Sequence, residues 1–173
     1  MNESLKGKGK AWSQRNQISM IFTTSPIPSN VKKYYFEIFV EKEGENQEIC
    51  IGLTRANPEH KNGRYPGWDK NTVGYHGHTG HIMQDHAYEF RVKSEKFGTG
   101  DKVGCVFLRE IIDGVPLVLC FFTKNGKYLD TIRCLPDIEY YPTIGMGSNG
   151  ASIKTNFGDN EFCYNISGKT HKY

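Results

Sequence analysis

The sequence has no run of about 18 apolar residues, the length that a membrane-spanning helix needs, and its first residues lack the apolar stretch of roughly 7 to 15 residues that a secretory signal carries. A soluble chain of the cytoplasm or nucleus is expected, with no membrane partner. C-x-x-C spacing is also missing. The five cysteines, Cys50, Cys105, Cys120, Cys134 and Cys163, are odd in number and scattered, and four lie in or beside runs rich in Val, Ile, Leu or Phe. That favours buried free thiols in a reducing compartment over a disulfide framework. Charge of one sign is not concentrated. Lys and Arg number 22 against 19 Asp and Glu, and only Lys6, Lys8 and Lys10 form a group. A nucleic-acid footprint needs a clustered basic stripe, so no nucleic-acid partner is expected.

Catalytic signatures are absent in the same way. Gly147-Ser148-Asn149-Gly150 lacks the Gly-x-Ser-x-Gly spacing of an activated serine, and each cysteine lies in a strand pattern that core packing explains. Gly98-Thr99-Gly100 and Gly145-Met146-Gly147 have no Lys-Ser/Thr and no following helix, so they do not cradle phosphate. His76, His78, His81 and His86 crowd a short stretch, and on a strand His76 and His78 would share a face. No Cys or Glu stands at ligand spacing beside them. No metal, no cofactor and no enzyme are the resulting expectations.

What is present is a succession of short strand patterns and turns, with no amphipathic helix and no repeat. The length of 173 residues suits one domain. Residues 1–10 carry three Lys, two Gly and one isolated Leu, and read as a tail or a poorly tied first strand. Residues 12–24 predict a half-buried strand on Ile18, Met20 and Phe22, with Ile21 breaking the pattern. Ser25-Pro26-Ile27-Pro28 then makes a stiff loop. Residues 34–41 alternate cleanly, with Tyr34, Phe36, Ile38 and Val40 on one face. A turn at residues 43–46 predicts a hairpin with a strand at 48–54. Residues 55–65 read as a surface loop, and 78–97 show one weak apolar pattern only.

Further strands are expected at 103–109, 117–123, 128–134, 140–146 and 152–157. Asp113-Gly114 and Pro116 interrupt the chain between the first two, and residues 117–123 are apolar enough to be buried on both faces or paired centrally. Asn125-Gly126 predicts a type I′ hairpin turn. The whole pattern is that of an all-β, two-sheet antiparallel β-sandwich. Between its strands, Arg64-Tyr65-Pro66-Gly67-Trp68-Asp69 leads into Val73-Gly74-Tyr75-His76-Gly77. This should be a rigid turn that Trp68 pins to a sheet while glycine lets backbone pass close by.

Pro66-Gly67-Trp68-Asp69 followed by Gly74-Tyr75-His76-Gly77 resembles the SPRY family, closest to its Ran-binding-protein-M and dual-SPRY-domain branches. Further matches fall in the family's order: Tyr34-Tyr35-Phe36-Glu37-Ile38, Ile51-Gly52-Leu53, Gly100-Asp101-Lys102-Val103-Gly104-Cys105, Phe121-Phe122-Thr123-Lys124-Asn125-Gly126, Tyr141-Pro142-Thr143-Ile144-Gly145 and Asn156-Phe157-Gly158. The resemblance implies a SPRY-like, concanavalin-like sandwich, here over residues 11–165, with 166–173 as a C-terminal tail. It also implies a non-enzymatic module that binds a protein or a short linear peptide, within a larger adaptor or ubiquitin-ligase-type assembly.

Mapped residue by residue, the family's peptide groove falls on Thr24, Pro26 and Pro28, on Thr54 and Arg55, and on Gly147, Ser148 and Asn149. Arg64 and Tyr65 join the candidates as interface-type residues on a loop, and one groove is expected to hold Arg55, Arg64, Tyr65, Ser148 and Asn149. The family's known peptide binders carry an Arg near Thr24 and a Trp near Ser148. This sequence has neither, so their acidic, Asn-rich ligand is not implied. His78-Thr79 also replaces the family's usual acidic dipeptide. The alternative is a small-ligand or carbohydrate-binding sandwich, although only Asp69 and Asp85 lie near the organising turn.

Overall fold

Alternation along residues 34–41 sets the frame, because it gives one strand two buried faces. In the computed structural model, which describes residues 18–55, 64–85 and 90–167, Phe36, Ile38 and Val40 point into the main core, while Tyr35 and Glu37 lie on the opposite face, also buried. The elements in chain order are β1 (Ser19–Phe22), β2 (Lys33–Lys42), β3 (Ile49–Arg55), β4 (Val73–His76), β5 (His81–Gln84), β6 (Phe90–Lys93), β7 (Lys102–Ile112), β8 (Val115–Lys124), β9 (Lys127–Cys134), β10 (Tyr140–Met146) and β11 (Ser152–Asn156). They form two antiparallel sheets. Sheet A has the order β1-β10-β3-β4-β5-β6, and sheet B the order β11-β2-β7-β8-β9. Their facing sides enclose one core that includes Ile51, Leu53, Tyr75, Phe107, Phe122 and Ile144.

Four expectations are corrected. The hairpin between residues 34–41 and 48–54 does not form, because β2 belongs to sheet B and β3 to sheet A. The turn at 43–46 instead crosses between the sheets, with Gly44 at positive φ. In β1 the core-facing residue is Ile21, the one that seemed to break the pattern. Met20 turns outward beside Gly145, and Phe22 is exposed. Apolar residues occupy both faces there because sheet A is covered on its outer side too. Two strands, β5 and β6, lie within the stretch that showed one weak pattern. Each is only four residues long, too short for an alternating pattern to stand out, and β6 is the sheet's edge.

The fourth correction concerns residues 111–116, where both strands continue through the expected break. Antiparallel pairs alternate in the side to which their hydrogen bonds point. Arg109 donates its backbone N–H outward to the Lys32 carbonyl at 2.7 Å, so Ile111 and Pro116, paired two positions on, also face outward. β9 ends opposite Val118, so Pro116 stands where β8 has no further neighbour and its missing donor costs nothing. Asp113 and Gly114 close the tip, both at positive φ.

Each sheet carries a cover on its outer face. A segment at 64–72 lies across sheet A, and residues 162–166 lie across sheet B. There Phe162, Tyr164 and Ile166 pack on Tyr35, Val106, Leu108, Leu119 and Phe121. The buried Glu37 carboxylate fastens this second cover, accepting hydrogen bonds from the Tyr35 hydroxyl, the Asn156 amide and the Cys163 backbone N–H. The strand β8 is accordingly apolar on both faces, as its composition indicates. Cys50, Cys105, Cys120 and Cys134 are buried free thiols, and Cys163 is exposed.

Candidate functional site

The sheet-A cover places Arg64, Tyr65 and Trp68. A Cβ on Gly74 would overlap the Pro66 carbonyl, so only glycine lets the 64–72 segment lie this close to β4. Tyr65 is 4% exposed; its ring lies over Gly145, and its hydroxyl donates to the Glu48 carboxylate at 3.2 Å. Trp68 stacks on His76, with centroids 6.1 Å apart and planes within 9°. His76 Nε2 lies 2.9 Å from the Pro66 carbonyl, and burial pulls the imidazole pKa down to about 4, so the neutral ring donates there. Arg64 remains largely exposed and pairs with Asp69 at 3.0 Å. Tyr65 is therefore a structural anchor of the cover. His86 lies outside the described residues.

Strand register separates the remaining candidates. Arg55 pairs with Tyr140 at one end of β3 and β10, and Ile49 pairs with Met146 at the other. Six residues of extended strand span roughly 20 Å, so Arg55 and the Ser148-Asn149 turn stand at opposite ends of the sandwich. The single groove joining them does not exist. Ser148 is buried and its hydroxyl accepts the Asn46 N–H at 2.8 Å. Asn149 is exposed, and its amide and carbonyl both bond to Glu45. Together with Gly147 these residues close a turn among Glu43, Glu45 and Glu48, where an acidic peptide would be repelled.

At the other end, Thr24, Pro26 and Pro28 do come near Arg55. Ile27 is buried and donates its N–H to the Tyr140 carbonyl at 2.9 Å, which plugs the loop into the core and leaves Pro26 and Pro28 on either side of it. Thr54 is buried, its hydroxyl 2.7 Å from that of Thr143, so it supports the end from beneath. Arg109, which the sequence reading missed, ties this loop to the β7–β8 ribbon. Its guanidinium donates to the Pro28 and Val31 carbonyls at 2.7 and 2.8 Å and lies 4.6 Å from the Phe107 ring centre.

The ribbon itself runs beyond both neighbouring strands and exposes Ile111 (76%), Val115 (55%) and Ile112 (39%), with Leu135 (53%) at its base. Phe22, 55% exposed, lies on the outer side of sheet A opposite Thr143, midway along β10. Four large apolar side chains thus stand in water at one end, an exposed apolar cluster of the kind that interaction surfaces carry. The only sequence signal for the ribbon is Ile-Ile-Asp-Gly-Val, an apolar run broken by turn residues.

A family profile describing the SPRY domain matches residues 33–160. The chain belongs to the SPRY family. Among curated relatives, a Ran-binding proteins 9/10 homolog of Drosophila melanogaster is 35% identical over 158 residues, which cover 91% of this chain and 15% of that protein. Ran-binding protein 10 of Danio rerio is 34% identical over 161 residues, covering 93% of this chain and 25% of the relative. The chain thus spans a quarter or less of the length of these relatives. Among solved structures, a human SPRY domain aligns with a TM-score of 0.70 at 22% identity, covering 86% of this chain and 90% of that one. A galactose complex of lectin UEA-II aligns with a TM-score of 0.50 at 13% identity over 85% of each chain, a likeness of fold alone. SPRY domains are protein–protein interaction modules, and family membership gives this chain that general class.

Proposed function

We propose that this SPRY domain is a non-catalytic docking module that holds a short linear segment of a partner protein at its ribbon end, within a larger adaptor or ubiquitin-ligase-type assembly of the cytoplasm or nucleus. The observation that carries the reading is the concentration of exposed apolar residues at that end, beside a loop stiffened by two prolines and a terminal Arg55. Thr24, Pro26, Pro28 and Arg55 supply the floor and its positive charge; Thr54 buttresses them. Arg64 stands apart, Tyr65 is an anchor, and Gly147, Ser148 and Asn149 belong to the acidic end. A preformed floor of this kind loses little entropy on binding, and a few contacts of charged hydrogen-bond strength then give affinities on the order of micromolar.

The relatives' names describe them as Ran-binding, so purified Ran is one probe and a displayed library of random peptides is the other. Titration calorimetry on the tightest binder should show Arg55→Ala weakening it about tenfold or more, while Asn149→Ala leaves it unchanged. The reverse ranking would place the site at the acidic end, and a hit on a glycan array with no peptide or protein binder would favour carbohydrate recognition.

A further inference from the structure

We infer that the tip of the β7–β8 ribbon is itself a docking element, which seats in an apolar cleft, basic at its rim, on a folded partner protein. The inference rests on the ribbon end being the domain's interaction face and adds a second contact to it. Ile111, Ile112 and Val115 crown the tip with Pro116 exposed beside them, and the Asp113-Gly114 turn holds the crest rigid by its two left-handed residues. A convex apolar crest on a fixed turn fits a concavity. It cannot enclose a peptide.

Three occupants compete for such a crest, and charge separates them. Glu110 and Asp113 flank the aliphatic side chains, and among the described residues neither enters an ion pair; the ribbon's own cation, Arg109, is engaged by the Pro28 and Val31 carbonyls. In a symmetric pairing with a second copy these carboxylates would face their own equivalents. At a membrane they would meet anionic headgroups. A basic-rimmed protein cleft satisfies both the crest and its flanks. Strand addition is opposed on one edge as well, because Pro116 offers no donor where β8 runs free.

The test uses the full-length protein in its own cells, with p-benzoylphenylalanine replacing Ile111, Arg55 or, as a control from the acidic end, Asn149. Photo-adducts are identified by mass spectrometry. The partner so identified is purified and titrated against the wild type, Ile111→Asp/Val115→Asp and Glu110→Gln/Asp113→Asn at low and high NaCl. The expected result is one protein captured from both Ile111 and Arg55, affinity about tenfold or more lower in the aspartate pair with an unchanged melting temperature, and an association rate less dependent on salt in the charge-neutral pair than in the wild type. Capture from Arg55 without Ile111, or full affinity in the aspartate pair, overturns the crest while the module reading stands. Capture from Asn149 alone overturns both. An Ile111 adduct with a second copy of this chain or with lipid alone contradicts the folded-partner cleft.

Discussion

His76 shows how one buried side chain ties the sheet-A cover to pH. It packs against both the Tyr65 and the Trp68 ring, with its N–H on the Pro66 carbonyl, and burial holds its pKa near 4 against the usual 6.5, with His78 and His81 adding to the depression. The unfolded chain takes up a proton near pH 6.5 that the folded chain refuses until about pH 4. Unfolding therefore binds more protons in that window, and stability rises with pH through it. The full displacement corresponds to roughly 3 kcal/mol as an upper bound. Urea unfolding between pH 7 and pH 4 should show the wild type losing stability more steeply than His76→Gln, whose side-chain amide can still donate to Pro66. Parallel curves for the two proteins would mean that the ring is not held neutral by its surroundings. The mark of His76 in the sequence is ambiguous, because a run of histidines reads as readily as a ligand cluster. What decides its role is the Pro66 carbonyl ten residues earlier.

At the scale of elements, the turns carry most of the specification. Asn125 and Gly126 have φ of 49° and 76°, the left-handed pair that a type I′ turn requires, and a Cβ on Gly126 would come within 2.9 Å of the Cys163 carbonyl. Gly126→Val should cost about 1 to 3 kcal/mol and lower the melting temperature by several degrees. An unchanged thermal scan would contradict the turn. Strands such as β8 and β10 were legible because their apolar runs are bounded by turn residues. β5 and β6 were hidden by brevity, and the β7–β8 extension by a proline that usually ends a strand. Which sheet β3 joins was not legible at all, since alternation shows that a strand has a buried face and not what it pairs with.

The whole molecule is a sandwich with two unlike ends, one with exposed aliphatic side chains and a loop stiffened by proline, the other a buried turn held among Glu43, Glu45 and Glu48. The family match and the order of its motifs were readable along the chain, and so was the sheet-A cover with Trp68 at its centre. The site was readable only in part. Thr24, Pro26, Pro28 and Arg55 share an end with the ribbon, whereas Ser148 and Asn149, which analogy placed beside them, are separated by the length of β10. Register is a long-range property, and loop residues drawn from distant segments cannot be assigned to an end before it is known. Hydrogen–deuterium exchange of the domain with its purified partner tests the choice of end most directly. Protection over residues 23–28 and 109–117, with no change over 43–48 and 147–150, is the result predicted; protection confined to the second pair of segments would contradict it.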